Sequence, residues 1–223
     1  MNPAIAKITP WLLDIMSEDL AENGMIIGEV TVDALTSWTQ FFKNAPLLLI
    51  VFLLMHSGVF AKEYQSGTLV LILTKGLSRY KVVLAKAAHV LLFWTVGYFL
   101  TFTVTYLYNA YFWDNSVAKG LFSAVINYWL FGIFLVSLLL FFSVISKSFY
   151  FAPICVGAVA LVSYLFGLIP RLSYVLPTAL MNSAGLLAGV DFASDYILSC
   201  IITSVLSVAA VALSIPVFNK KEI

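Results

Sequence analysis

Charged residues along this chain are gathered into clusters, and the clusters are separated by long apolar runs. Five stretches contain no Asp, Glu, Lys or Arg and are rich in Leu, Ile, Val and Phe: residues 44–61, 87–113, 120–146, 148–170 and 196–219. A hydrocarbon core of ~30 Å takes about 20 residues of helix. The pattern therefore predicts an all-α integral membrane protein with five transmembrane helices. Only Lys147 separates the third stretch from the fourth, which predicts a tight helical hairpin. Polar and apolar residues nowhere alternate over strand lengths, so a barrel is not expected. A sixth charge-free stretch, 172–190, contains Pro177, Thr178, Asn182, Ser183, Gly185 and Gly189. These residues break a continuous helix.

The positions of the cations set the expected orientation, because cytoplasmic loops carry the excess of Lys and Arg. With five spans and the N-terminus outside, Lys62, Lys75, Arg79, Lys81, Lys86, Lys147, Lys220 and Lys221 fall on the cytoplasmic side. Lys7, Lys43, Lys119 and Arg171 fall outside, a split of 8 to 4. A sixth span over 172–190 would move Lys220 and Lys221 outside and erase the bias. Residues 171–192 are therefore expected to form a re-entrant or interfacial helical pair on the outer face, and the C-terminus to be cytoplasmic. Residues 1–43 carry Asp14, Glu18, Asp19, Glu22, Glu29 and Asp33 against Lys7 and Lys43, a net of −4 that suits the outer side. Within them, residues 10–20 have Trp11, Leu12, Ile15 and Leu20 on one helical side. Val32, Leu35, Trp38 and Phe42 make a second apolar face, with Trp38 suited to the membrane interface. One membrane domain accounts for residues 1–223.

Composition agrees with the pattern. Of 223 residues, 62% are hydrophobic and 10% charged, against roughly 25% charged in soluble domains. So little charge excludes a soluble enzyme, a nucleic-acid binder and a disordered chain. Cys155 and Cys200 lie in apolar runs and resemble neither a disulfide pair nor part of a metal cluster. The first residues lack the features of a signal peptide. No phosphate-binding Gly-x-x-x-x-Gly-Lys-Ser/Thr, His-Glu-x-x-His or Gly-x-Ser-x-Gly motif occurs. His56 and His89 fall near the cytoplasmic ends of spans, where packing or interfacial roles are expected and a metal site is not.

The informative segment is 62–86. Gly76 is placed to end a short surface helix in a left-handed cap, and Ser78 to start the next span. Leu69, Ile72 and Leu73 are expected to face lipid or the bundle. The series Glu63-x-x-x-Gly67-Thr68-Leu69, Leu73-Thr74-Lys75, Ser78-Arg79 and Lys86 resembles the first cytoplasmic loop of type-2 ABC transporter permeases. The ending Phe218-Asn219-Lys220-Lys221-Glu222 and the element Tyr174-x-x-Pro177 are similar to that family as well. In layout the resemblance spans about residues 30–223, but only 62–86 is specific. It implies the membrane subunit of an ATP-driven exporter in a cell membrane, working as a homo- or heterodimer with a second permease copy. Separate ABC ATPase subunits would hold ATP and Mg, so that this chain is itself no enzyme. It further implies that Glu63, Gly67, Thr68, Lys75, Arg79 and Lys86 form the ATPase-coupling element. Read without the resemblance, the same cations satisfy the positive-inside rule and Glu63 balances them locally. A lone carboxylate among cations can pair with them or with an Arg on a docked partner, and Gly67 permits a tight bend.

On the second stretch, Trp94, Tyr98, Thr101, Thr105 and Tyr108 fall within about 80° of one another at 100° per residue. This uncharged aromatic and hydroxyl stripe suits an amphipathic or hydrophobic cargo such as a peptide better than an ion. Equally, such hydroxyls join helices within bundles. Ser199, Thr203 and Ser207 form a small-residue ridge expected to pack helices. A membrane-embedded hydrolase is disfavoured because no span carries a carboxylate, Lys or Arg. A non-transporting sensor or immunity protein for antimicrobial peptides is the alternative. Permeases of the resembled family have six spans, with the coupling loop after the second. Here it follows the first, so 1–43 looks like the outer loop joining spans one and two. The expectation is a shortened start, or a subunit whose first helix a partner supplies.

Overall fold

The computed structural model describes residues 33–169 and 172–221, and these are helical with no strand among them. Eight α-helices follow in order: α1 Ala34–Met55, α2 Ala61–Ser66, α3 Thr68–Thr74, α4 Arg79–Phe112, α5 Leu121–Ile145, α6 Phe151–Gly167, α7 Ala184–Ala188 and α8 Ile197–Lys220. Four helical segments are long and apolar enough to cross a membrane: α1, α4, α5 and the unbroken Ala193–Lys220, which joins a 3₁₀ turn to α8. This is a multi-pass membrane protein. Helix α6 is apolar but has 17 residues, about 25 Å of rise.

α5 is the hub. In its most apolar window 61% of residues are buried, against 17–28% for the other three segments. α8 lies along one side of it, with Ser199, Thr203, Ser207, Ala210 and Ser214 all buried. The small-residue ridge thus packs inward, as side chains that let backbones approach do in membranes. α6 folds back on α5 after the turn at 146–150, giving the expected hairpin. On α4, Trp94 lies over Gly132 of α5, where any Cβ would overlap its indole ring. That close approach is the reason for a glycine in an otherwise bulky helix.

The first long helix is displaced from its expected place. It begins at Ala34, capped by the Asp33 carboxylate, which accepts from the Thr36 amide at 2.8 Å. It then runs through Lys43 and ends at Met55, so residues 56–60 form turns rather than the end of a span. Lys43 is exposed, and its long stem lets the ammonium reach away from apolar surroundings. Leu35, Trp38 and Phe42 therefore belong to α1. Trp38 is fully buried rather than interfacial, its indole N–H donating to Asn115 Oδ1 at 3.0 Å. Beside it Ser37 donates to Asn109 Oδ1 at 2.8 Å. The 10–20 helix, Arg171 and Glu222 lie outside the described residues.

Within 171–192 the breakers act as expected. A 3₁₀ turn, Pro177–Met181, and the five-residue α7 form a helical pair, and Gly189 ends α7 with φ 72°. Pro177, Leu180, Leu186 and Leu187 are buried, so the pair caps the bundle end where α5 starts. The opposite end of the bundle carries Lys62, Lys75, Arg79, Lys81, Lys86, Lys147, Lys220 and Lys221. A separate small apolar cluster supports this basic end: Phe60, Leu69, Val82, Val83, Ala87, Leu140, Val144 and Phe218.

Candidate functional site

The 61–81 segment is two short helices rather than one. Gly67 takes φ 68° between α2 and α3, and Gly76 takes φ 89° just after α3. Both are left-handed positions that favour glycine. Gly76 caps as expected; Gly67 adds a break that splits the surface helix. Leu69 is fully buried on the bundle and Leu73 packs beside it. Thr68 and Lys75 are exposed, together with Val70, Leu71, Leu77 and Tyr80. One side of the segment is thus anchored, and the other presents apolar groups ringed by cations.

Three sets of polar contacts bind this segment to the long helices. Lys86 of α4 donates to Glu63 Oε1 at 2.7 Å and to the Val59 carbonyl at 2.7 Å, and lies 5.1 Å from the Phe60 ring centroid. Glu63 Oε2 is buried and has no hydrogen-bond partner. Arg79 donates from Nη1 to the carbonyls of Phe218, Asn219 and Lys221 at 3.1, 2.9 and 2.8 Å. It therefore caps the C-terminus of α8, where unpaired carbonyls and the helix dipole favour a cation. Lys221 in turn donates to the Val144 and Ile145 carbonyls at 2.7 and 2.8 Å, capping α5, and sits 4.2 Å from the Tyr64 ring centroid. Tyr64 donates to the Val144 carbonyl at 3.3 Å. Burial pushes the Tyr64 hydroxyl up to about 12, with the nearby Arg79 charge opposing. Burial, then the Lys147 charge, holds Lys221 below the usual lysine range.

Of the six residues expected in a coupling element, Glu63 and Lys86 meet directly. Gly67 shapes the bend, Thr68 and Lys75 stand exposed, and Arg79 is turned inward onto α8. Sequence reasoning missed Lys221 and Tyr64 as ties. A Lys just past a helix end is a visible capping signal, but its target here belongs to α5, 76 residues earlier.

His56 and His89 border one open cleft of about 660 Å³ with Glu63, Lys62 and Lys86. His56 stacks on Phe52 at 4.1 Å, and His89 lies 4.6 Å from Phe93. Among the described residues no three His, Cys, Asp or Glu side chains are placed to hold a metal.

The stripe on α4 does not form one open face. Trp94 and Tyr98 are each 1% exposed. Their polar atoms are used by α5: Trp94 Nε1 donates to the Trp129 carbonyl at 3.2 Å and Tyr98 to the Val125 carbonyl at 3.1 Å. Both are core residues, because α5 covers that side of α4. The Thr101 and Thr105 hydroxyls bond carbonyls of their own helix, and Tyr108 is exposed.

Residues 25–223 match the family described as "Protein of unknown function (DUF2705)". No curated protein and no solved structure matches the chain. Spanning nearly the whole sequence, that match makes the chain a member of the DUF2705 family.

Proposed function

We propose that this chain is the membrane-spanning subunit of an ATP-driven exporter, with residues 62–86 as the element that docks a separate ATPase. One observation carries the reading: through Glu63 and Tyr64, α2 of the exposed segment touches α4, the end of α5 and Lys221 at the end of α8, and Arg79 joins the start of α4 to α8. Glu63 holds α4, Arg79 links the start of α4 to the end of α8, and Tyr64 with Lys221 joins the end of α5. A push on the segment is thereby delivered to three spans. The exposed Val70, Leu71 and Leu77 beside Lys75 and Lys81 offer a partner an apolar centre with a charged rim. In this reading the basic end is cytoplasmic, α6 is the fifth span, and the N-terminus is outside the cell membrane. The partner ATPase holds ATP and Mg, a second permease copy completes the transporter, and the cargo is amphipathic or hydrophobic, such as a peptide.

The test is purification of the tagged chain from its native membrane. The expected result is a stoichiometric ATPase whose hydrolysis changes on reconstitution with the chain, and which Leu71→Glu releases without lowering the melting temperature. A well-folded chain that never carries an ATPase would remove the exporter reading and leave a sensor or immunity protein. A cysteine at Ser116, exposed beyond α4, tests the orientation. In a background lacking Cys155 and Cys200 it should react with an impermeant thiol reagent from outside intact cells; reaction only after lysis would invert the topology.

A further inference from the structure

We infer that the gap between α1 and α6 is a binding site for one diacylglycerol-based lipid drawn from the bilayer. The gap is a cleft of about 420 Å³, within the range of about 300–1,000 Å³ that holds small ligands. Its floor is α5 (Phe131, Leu135), and its walls are α1 (Leu49, Leu53) and α6 (Val156, Ala160). Along α6 it runs from Pro153 to Tyr164, roughly 16 Å at 1.5 Å per residue. That is about half of a ~30 Å hydrocarbon core, the depth of one leaflet and of one acyl chain.

Its end at the Pro177–Met181 turn changes character. Tyr164 and Thr178 border both this cleft and a second one of about 210 Å³, lined also by Ser173, Tyr174, Asn182 and Tyr196. The described lining of both clefts carries hydroxyl and amide groups but no charged side chain. Tyr128 lines the apolar cleft, is 1% exposed, and its hydroxyl has no hydrogen-bond partner. It lies 17 residues up α5 from Ile145, roughly 25 Å; Gly167 lies 16 residues up α6 from Phe151, roughly 24 Å. The backbone of Tyr128 is therefore about level with the end of α6, where the second cleft begins. A glycerolipid matches these two surfaces: an acyl chain for the apolar cleft and an uncharged polar head for the second cleft. Gly157 keeps the space open, since a Cβ there would meet no atom within 4 Å.

The proposal stands apart from the transport reading, because a chain with no ATPase would hold the lipid equally well. The probe is a diacylglycerol, uncharged like the lining, with a photoreactive diazirine near the end of one acyl chain, in nanodiscs with unlabelled lipid. Adducts on the purified chain are mapped by mass spectrometry. Enrichment on residues 46–54 and 153–164 over the exposed Leu92, Val96, Leu100, Val104 and Leu107 of α4 is expected, and Gly157→Phe with Ala160→Phe should abolish it. If the double variant fails size-exclusion as a folded species, Gly157→Leu alone serves as the filling variant. Even labelling of all apolar faces, unchanged by a folded filling variant, would mean ordinary boundary lipid and overturn the proposal. Protection of the cleft from label in nanodiscs would overturn it too, since protein would then cover the gap.

Discussion

Lys86→Met and Glu63→Gln break the same 2.7 Å contact and are expected to differ in cost. The two side chains are 19% and 28% exposed, between a surface pair worth about 0–1 kcal/mol and a buried pair costing about 3–5 kcal/mol when one partner is removed. Lys86→Met also takes the donor from the Val59 carbonyl. It leaves Glu63 charged, with Oε2 already buried and unpartnered, and the expected loss is about 2 kcal/mol. Glu63→Gln puts an amide in the same space, removes the charge, and leaves Lys86 its Val59 bond, for an expected loss of about 1 kcal/mol or less. The double variant has no stranded charge and should recover about 1 kcal/mol relative to Lys86→Met. For a chain of this length each kcal/mol moves the midpoint by about 2–4 °C. Intrinsic-fluorescence melting in one detergent therefore separates the single variants by several degrees. Equal losses in the two single variants, or a double variant worse than Lys86→Met, would refute the claim that the site holds a partly desolvated carboxylate.

Gly132→Val drives a branched side chain into the Trp94 ring and should cost about 1–3 kcal/mol by overpacking; a melting midpoint within error of wild type would contradict that packing. Arg79→Ala uncaps α8 and should cost about 2 kcal/mol, with hydrogen exchange rising at residues 218–221 more than at mid-helix; uniform exchange would separate Arg79 from that cap. Gly67→Ala forces a Cβ onto φ 68° at about 1–2 kcal/mol, although nothing within 4 Å blocks it. Its loss should appear in melting without any new clash, and an unchanged midpoint would show that the α2–α3 bend relaxes freely.

The membrane class, the α5–α6 hairpin, the cap at Gly76 and the broken 171–192 stretch were all legible in the sequence. Each depends on local rules: apolar length against bilayer thickness, glycine's access to positive φ, and the charges and prolines that interrupt helices. The start of α1 was not legible. A charge-free window cannot reveal that a helix capped at Asp33 runs through Lys43, since one long side chain at a helix surface need not end a span. Nor does helical periodicity say what a face meets. Trp94 and Tyr98 share an angular position with Tyr108, yet α5 covers the first two and leaves the third exposed, because coverage depends on where two helices cross. The ties of Arg79 to α8 and Lys221 to α5 join residues 139–142 and 76–77 positions apart. The sequence by itself determined which groups were cations near helix ends. Which carbonyls they satisfy was decided by the tertiary fold, which brings separate helix termini within hydrogen-bond reach.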